Sequence, residues 1–295
     1  MQSDRDTAHP PKNRYADAPK RADWTIDQDW RSYGEAEHDR WNRLYARQIA
    51  LLPGRACDEY LTALEALRLS RSGVPDFAEL SRRLAALTGW SVVPVSGLVP
   101  DDVFFDHLAE RRFPAGAFIR PEEELDYIEE PDVFHDVFGH VPLLANPVYA
   151  RFLQAYGEGG RRALARGQLA ELARLYWHTV EFGLIATPTG LRIFGAGILS
   201  SPAETMFSIE DSSPNRIAFD LERVMRTRYI IDDFQQSYFV IDSFQTLLDA
   251  CYQDFGPIYD RLRAQPTLAP HELAPGDRIV TRGDFHYFRA KTAAA

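Results

Sequence analysis

Cysteine is nearly absent from this sequence. Cys57 and Cys251 stand far apart and form no CxxC pair. That argues against a disulfide-stapled scaffold; one bridge is possible, but two buried free thiols are expected. Positive charge is also short: 33 Lys and Arg against 43 Asp and Glu give a formal charge of -10. A general polyanion binder is excluded on that balance, and no nucleic-acid partner is expected. Long apolar runs are missing, with nothing approaching the roughly 18 residues of a membrane-spanning helix. The opening stretch "MQSDRDTAHPPKNRYADAPKRADW" has no apolar core of the kind a secretory signal carries. A cytoplasmic protein without membrane association is expected. Repeats and heptads are absent too, which removes solenoids and coiled coils.

What the sequence has in quantity is aromatic side chains: 18 Phe, 13 Tyr and 5 Trp in 295 residues. They suit a large core or an aromatic-walled pocket. A chain of this length buries about three-quarters of its unfolded surface and needs no covalent staples. Residues 1–22 are polar and proline-bearing and predict a disordered arm. Residues 23–265 predict one main domain, and 266–295 a C-terminal extension. Trp41, Leu44, Tyr45, Ile49 and Leu52 form a helical stripe that stops at Pro53-Gly54. Phe77, Leu80, Leu84 and Leu87 form another, with Gly89 past its end. "WSVVPV" (90–95) is a short β-like run. "EELDYIEEPDVFHDVFGH" (123–140) reads as helical apart from a break at Pro131. "PVYARFLQAYGEGG" and "GQLAELARLYWHTVEFGLIA" read as two helices separated by glycines, and "RIVTRGDFHYF" as a late hairpin strand. The fold class predicted is mainly α with a few short strands, a single α+β domain.

The stretch "PDVFHDVFGHVPLL", residues 131–144, places two histidines five apart. On an α-helix five residues turn about 500°, which leaves His135 and His140 roughly 140° apart. They converge only if the helix is disturbed. Gly139 and Pro142 supply a disturbance, because Pro142 disfavours the helical region for Val141. Two neutral imidazoles suit Zn, Fe, Cu or Ni. A third ligand is available in "LYWHTVEFGL", where Glu181 is an acid in an apolar setting and needs a cationic partner. His135, His140 and Glu181 would make a 2-His-1-carboxylate set with open positions. Asp132, three residues before His135, is placed to accept the other ring N–H and fix the tautomer. Asp136 lies at the rim. His178, three before Glu181, remains an alternative ligand. A His₂Glu zinc hydrolase stays open at this point.

These residues resemble a known family. "EPDVFHDVFGHVPLL", "YWHTVEFGL" and "FGAGILSS" look like the three signature blocks of the pterin-dependent aromatic amino acid hydroxylases, in the manner of the short bacterial members, over about Trp24 to Phe255. The resemblance implies the catalytic fold of that family, Fe(II) and a tetrahydropterin as cofactors, and conversion of L-phenylalanine and O₂ to L-tyrosine. Hydroxylation of tryptophan or another aromatic acid by the same machinery is the alternative. It implies His135, His140 and Glu181 as iron ligands and Tyr176 near the iron. Arg120 would grip the substrate carboxylate. Trp177, Phe182, Gly197, Ser200 and Tyr238 would line the substrate pocket. For the pterin it implies Phe104 as the stacking ring, Gly97, Leu98 and Val99 as backbone contacts, and Asp136 and Ala173 nearby. The pterin loop departs from the animal pattern at Val99-Pro100-Asp101-Asp102. The animal regulatory domain and assembly helix have no counterpart here, so a monomer is expected.

Overall fold

The amphipathic stripes become helices with caps that explain their ends. In a computed structural model, which describes residues 13–294 other than 127 and 129, Glu35–Leu51 begins at Gly34. The Gly34 amide donates to Glu37 Oε2 at 2.8 Å. Phe77–Thr88 begins at Asp76, whose carboxylate accepts from the Ala78 amide at 2.9 Å. It ends on Gly89 at φ 78°, a left-handed stop that glycine takes without steric cost.

The helices surround two small sheets. β1 (Ser91–Val95) and β2 (Arg112–Gly116) run parallel, joined through the helix Asp101–Ala109. The second sheet has β3 (Leu184–Thr187), β4 (Gly190–Ile193), β5 (Asn215–Ala218), β6 (Ser237–Ile241) and β7 (Ile279–Thr281), in the order β4-β3-β6-β5-β7. β6 is parallel to β3 and β5, and β7 adds to β5 antiparallel. One continuous apolar core, with Trp41, Trp90, Phe134, Phe138 and Phe152 fully buried, holds the layers together. Cys57 and Cys251 are free and buried, as expected. Burial pushes both thiols up to about 12. No helix among the described residues is long and apolar enough to cross a membrane.

The structure differs from the sequence reading in several places, among them the end of the stretch read as a helix up to Ala186, which leaves the helix at Glu181 and enters β3. The predicted disordered arm at 1–22 lies partly outside the described residues, but from Asn13 onward the chain packs on the body. Tyr15 is buried and donates to the Gln28 carbonyl, and Asn13 donates to the Ser96 carbonyl. Polar composition hid two anchoring side chains. The glycines of "GEGG" do not end a helix; they sit inside Pro147–Ala165. A Cβ at Gly160 would lie 1.9 Å from Phe105 Cδ1, and one at Gly157 2.5 Å from the Ala109 amide. These glycines are notches through which Asp101–Ala109 seats on the longer helix. In the stretch 123–130, read as helical, the described residues form no helix beyond the turn Glu122–Glu124. The late strand β7 joins no hairpin; it pairs with β5 from far along the chain.

Candidate active site

Both segments that carry the candidate ligands are π-helical: Phe134–His140 and Trp177–Glu181. A π-turn bonds each amide five residues back, as the Phe182 amide does to the Trp177 carbonyl at 2.9 Å. Residues five apart therefore come onto the same side of the turn. This resolves the histidine spacing: the widened turn brings His135 and His140 together where an α-helix would splay them. Gly139 permits the approach of the short helix Ala196–Leu199, since a Cβ there would sit 2.9 Å from the Ala196 carbonyl oxygen.

Three donor atoms converge as a result. His135 Nε2 and His140 Nε2 lie 3.2 Å apart. Glu181 Oε2 is 3.6 Å from the first and Glu181 Oε1 3.2 Å from the second. The set lies within 4.8 Å overall. Ligands at about 2.1 Å on one face of an octahedral ion stand about 3 Å from each other, so the spacing fits a shared cation. The donor chemistry fits as well. Two imidazole lone pairs aimed at one point repel unless a cation or a proton lies between them. Burial holds His135 neutral, down to about 4, against the pull of Glu181. Burial also opposes charge on His140, but its contact with Glu181 outweighs that and raises it. Burial pushes Glu181 up, and the two rings with the Gly197 amide bring it below the ordinary carboxylate range.

The tautomer of His135 is set by Ser200. Ser200 Oγ donates its single proton to the Ala196 carbonyl at 2.8 Å. It therefore accepts from His135 Nδ1–H, 3.0 Å away. The Nε2 lone pair is left for a metal. Asp132 does not do this, contrary to the sequence reading. Its carboxylate accepts from Arg120 Nε and Nη2 at 2.9 and 2.8 Å, and from the Arg120 and His135 amides at 2.9 and 3.0 Å. Asp132 precedes the helical segment, and its carboxylate turns back onto the His135 backbone amide and Arg120, so the helical spacing that put it beside the ring does not apply. Asp132 braces Arg120, whose Nη1 has no hydrogen-bond partner among the described residues. His178 is not part of the cluster either. Its Nε2 donates to the Thr227 carbonyl at 3.1 Å, and burial lowers it to about 4.

Aromatic rings enclose the cluster. Tyr176 stacks on His140 with centroids 6.2 Å apart, and Phe104 meets Tyr176 edge-on at 5.7 Å. That row of rings leads to the loop 96–100, where Leu98 is exposed and Gly97 and Val99 are half-buried. Ala173 lies half-buried in the helix Leu169–Tyr176 that runs into the second π-turn. Asp136 Oδ2 accepts from the Gly116 amide at 2.7 Å. Burial pushes its carboxyl up to about 7. On the other side Trp177 packs against Phe182 at 4.9 Å and stacks on Tyr229 at 4.4 Å. A Cβ at Gly197 would lie 3.0 Å from Phe182 Cζ and 3.2 Å from Glu181 Oε2, so Gly197 keeps that corner open. Tyr238 is fully buried in β6 and donates to Glu204. Tyr229, Gln235 and Glu204 escaped the sequence reading. Their partners lie far along the chain, and no local pattern marks them.

Residues 26–256 match the family described as biopterin-dependent aromatic amino acid hydroxylase. The chain is 64% identical over 270 residues to the phenylalanine-4-hydroxylase of Caulobacter vibrioides, covering 92% of each. It is 56% identical to that of Ralstonia nicotianae, over 89% of this chain and 84% of the relative. It superposes with a TM-score of 0.87 on Chromobacterium violaceum phenylalanine hydroxylase with bound oxidized Fe(III). That pair is 54% identical and covers 89% of this chain and 96% of the other. On these matches and the geometry above, the chain belongs to the biopterin-dependent aromatic amino acid hydroxylases.

Proposed function

We propose that the protein is an Fe(II)- and tetrahydropterin-dependent monooxygenase that converts L-phenylalanine and O₂ to L-tyrosine. The observation that carries this reading is the convergence of His135, His140 and Glu181 within 4.8 Å, an open-sided 2-His-1-carboxylate set in a chain of this family. The iron and the pterin, when bound, supply the redox chemistry of oxygen activation; positioning falls to the chain.

His135 and His140 offer Nε2 lone pairs, and Glu181 balances charge. Ser200 keeps His135 in the ligating tautomer. Arg120, braced by Asp132 through Nε and Nη2, offers its guanidinium to the substrate carboxylate. Trp177 and Phe182 wall the substrate ring, and Gly197 leaves room for it beside Glu181. On the opposite side Phe104 offers its face to the pterin. Gly97, Leu98 and Val99 supply backbone groups and Ala173 a small neighbour. The Asp136 carboxyl, near neutrality, serves as donor or acceptor towards the pterin. Tyr176, stacked on His140, closes the site against water.

An aerobic assay with Fe(II), a tetrahydropterin and phenylalanine tests the reading. Tyrosine is expected, and none without pterin. Arg120→Lys keeps a charge beside Asp132 but loses the planar fork. Its KM for phenylalanine is expected to rise far more than its KM for pterin, and the reverse pattern would remove Arg120 from the substrate.

A further inference from the structure

The aromatic wall on the substrate side is tied to the end of the chain. Trp177 Nε1 donates to Gln235 Oε1 at 3.0 Å. The same side-chain amide closes the loop 230–235 on itself. Gln235 Nε2 donates to the Ile230 carbonyl at 2.7 Å, and Gln235 Oε1 accepts from the Ile230 amide at 3.4 Å. The Gln235 backbone amide donates to the buried Glu204 at 3.4 Å. The loop thus holds Trp177 by a hydrogen bond and by the Tyr229 stack at 4.4 Å.

The outer side of this loop is gripped by the helix His286–Ala294, which lies beyond residues 26–256 that match the family. Tyr287 Oη donates to Asp233 Oδ1 at 3.0 Å, and Lys291 Nζ pairs with Asp233 Oδ2 at 2.8 Å. Tyr287 and Lys291 are four apart and share one helix face. Phe234 stacks on Phe207 at 4.3 Å and packs on Tyr287 at 5.2 Å. The helix is itself seated. The Tyr287 amide donates to Ser213 Oγ at 2.8 Å, and the Gly283 amide to Asn215 Oδ1 at 2.9 Å. A Cβ at Gly283 would lie 2.2 Å from the Ser213 carbonyl oxygen, so this approach requires glycine.

The geometry points to Asp233 as a positioning residue: through it the C-terminal helix fixes the loop 230–235, and the loop fixes Trp177 against the bound substrate ring. Asp233 touches no reactant, and it acts through Gln235 and Trp177. The inference rests on the proposed placing of Trp177 at the substrate. A loosened loop leaves the metal ligands and the Phe104 side intact, so substrate binding suffers before the chemistry does.

The test compares the parent with Asp233→Ala, Tyr287→Phe/Lys291→Ala and Lys291→Arg. Steady-state kinetics with Fe(II) and a tetrahydropterin are combined with amide hydrogen exchange of residues 229–236. In the first two variants the phenylalanine KM is expected to rise roughly three- to tenfold, the scale of one or two charge-assisted hydrogen bonds lost in part. The kcat stays within about twofold, the pterin KM is unchanged, and the Ile230 and Gln235 amides exchange faster. Lys291→Arg keeps the ion pair and is expected to behave as the parent. Unchanged exchange together with unchanged phenylalanine KM in Asp233→Ala would overturn the inference. Equal rises in both KM values would overturn it too, because general destabilisation moves both. A parent that makes no tyrosine would sink the functional reading instead, and the exchange comparison would still decide whether the helix holds the loop.

Discussion

Ser200 takes the place beside His135 that the sequence assigned to Asp132. A hydroxyl that has given its only proton to the Ala196 carbonyl can act towards the ring only as acceptor. Ser200→Ala is therefore expected to weaken Fe(II) binding about ten- to a hundredfold, as loss of an orienting partner does in other metal sites. Competition against a chromophoric chelator measures it, and parent-like affinity would contradict the assignment. Glu204 gives a second prediction at this scale. Burial raises its carboxyl to about 7, although Tyr238 and the Gln235 amide pull the other way. An acid whose folded pKa lies above its unfolded value costs no stability at low pH. It loses stability as pH rises from the ordinary carboxylate range towards about 7, and the loss is then constant. In urea unfolding between pH 5 and 8, the parent should lose more stability than Glu204→Gln. Equal losses would show that the group is ionised throughout.

Among the elements, the helical stripes around Trp41 and Phe77 were readable because period, cap and stop agreed. The ligand trio was readable from residue type and from the resemblance of three blocks. The π-turns were not, since nothing local in "FHDVFGH" demands a widened turn. In the folded chain both rings and Gly139 meet partners on other elements: Ser200, Glu181 and Ala196. The glycines of "GEGG" misled for a related reason: locally they punctuate, and only the packed neighbour shows that Gly157 and Gly160 are notches. Gly160→Ala tests this. Helix propensity alone would stabilise by about 1 kcal/mol. A Cβ placed 1.9 Å from Phe105 Cδ1 forces the pair of helices apart, at a cost of about 1–3 kcal/mol by overpacking. A variant more stable than the parent in chemical denaturation would refute the notch.

Across the whole molecule, the metal cluster ties together two segments that lie far apart in the chain, the turns at 134–140 and 177–181. Ligand that binds only the folded state stabilises it by about 2.7 kcal/mol at a hundred times its Kd. Fe(II) should thus raise the unfolding temperature by several degrees in the parent, and chelation should reverse it. The aromatic wall, the Arg120–Asp132 brace and the pterin side are then arranged around one ion, and membership of the hydroxylase family leaves the zinc hydrolase reading without support. Anaerobic Fe(II) titration of the parent beside His135→Ala, His140→Ala and Glu181→Ala tests that arrangement most directly. The account predicts saturation at one ion per parent chain and binding weaker by about a hundredfold or more in every folded variant. Any one of the three retaining the parent's stoichiometry and affinity would contradict it.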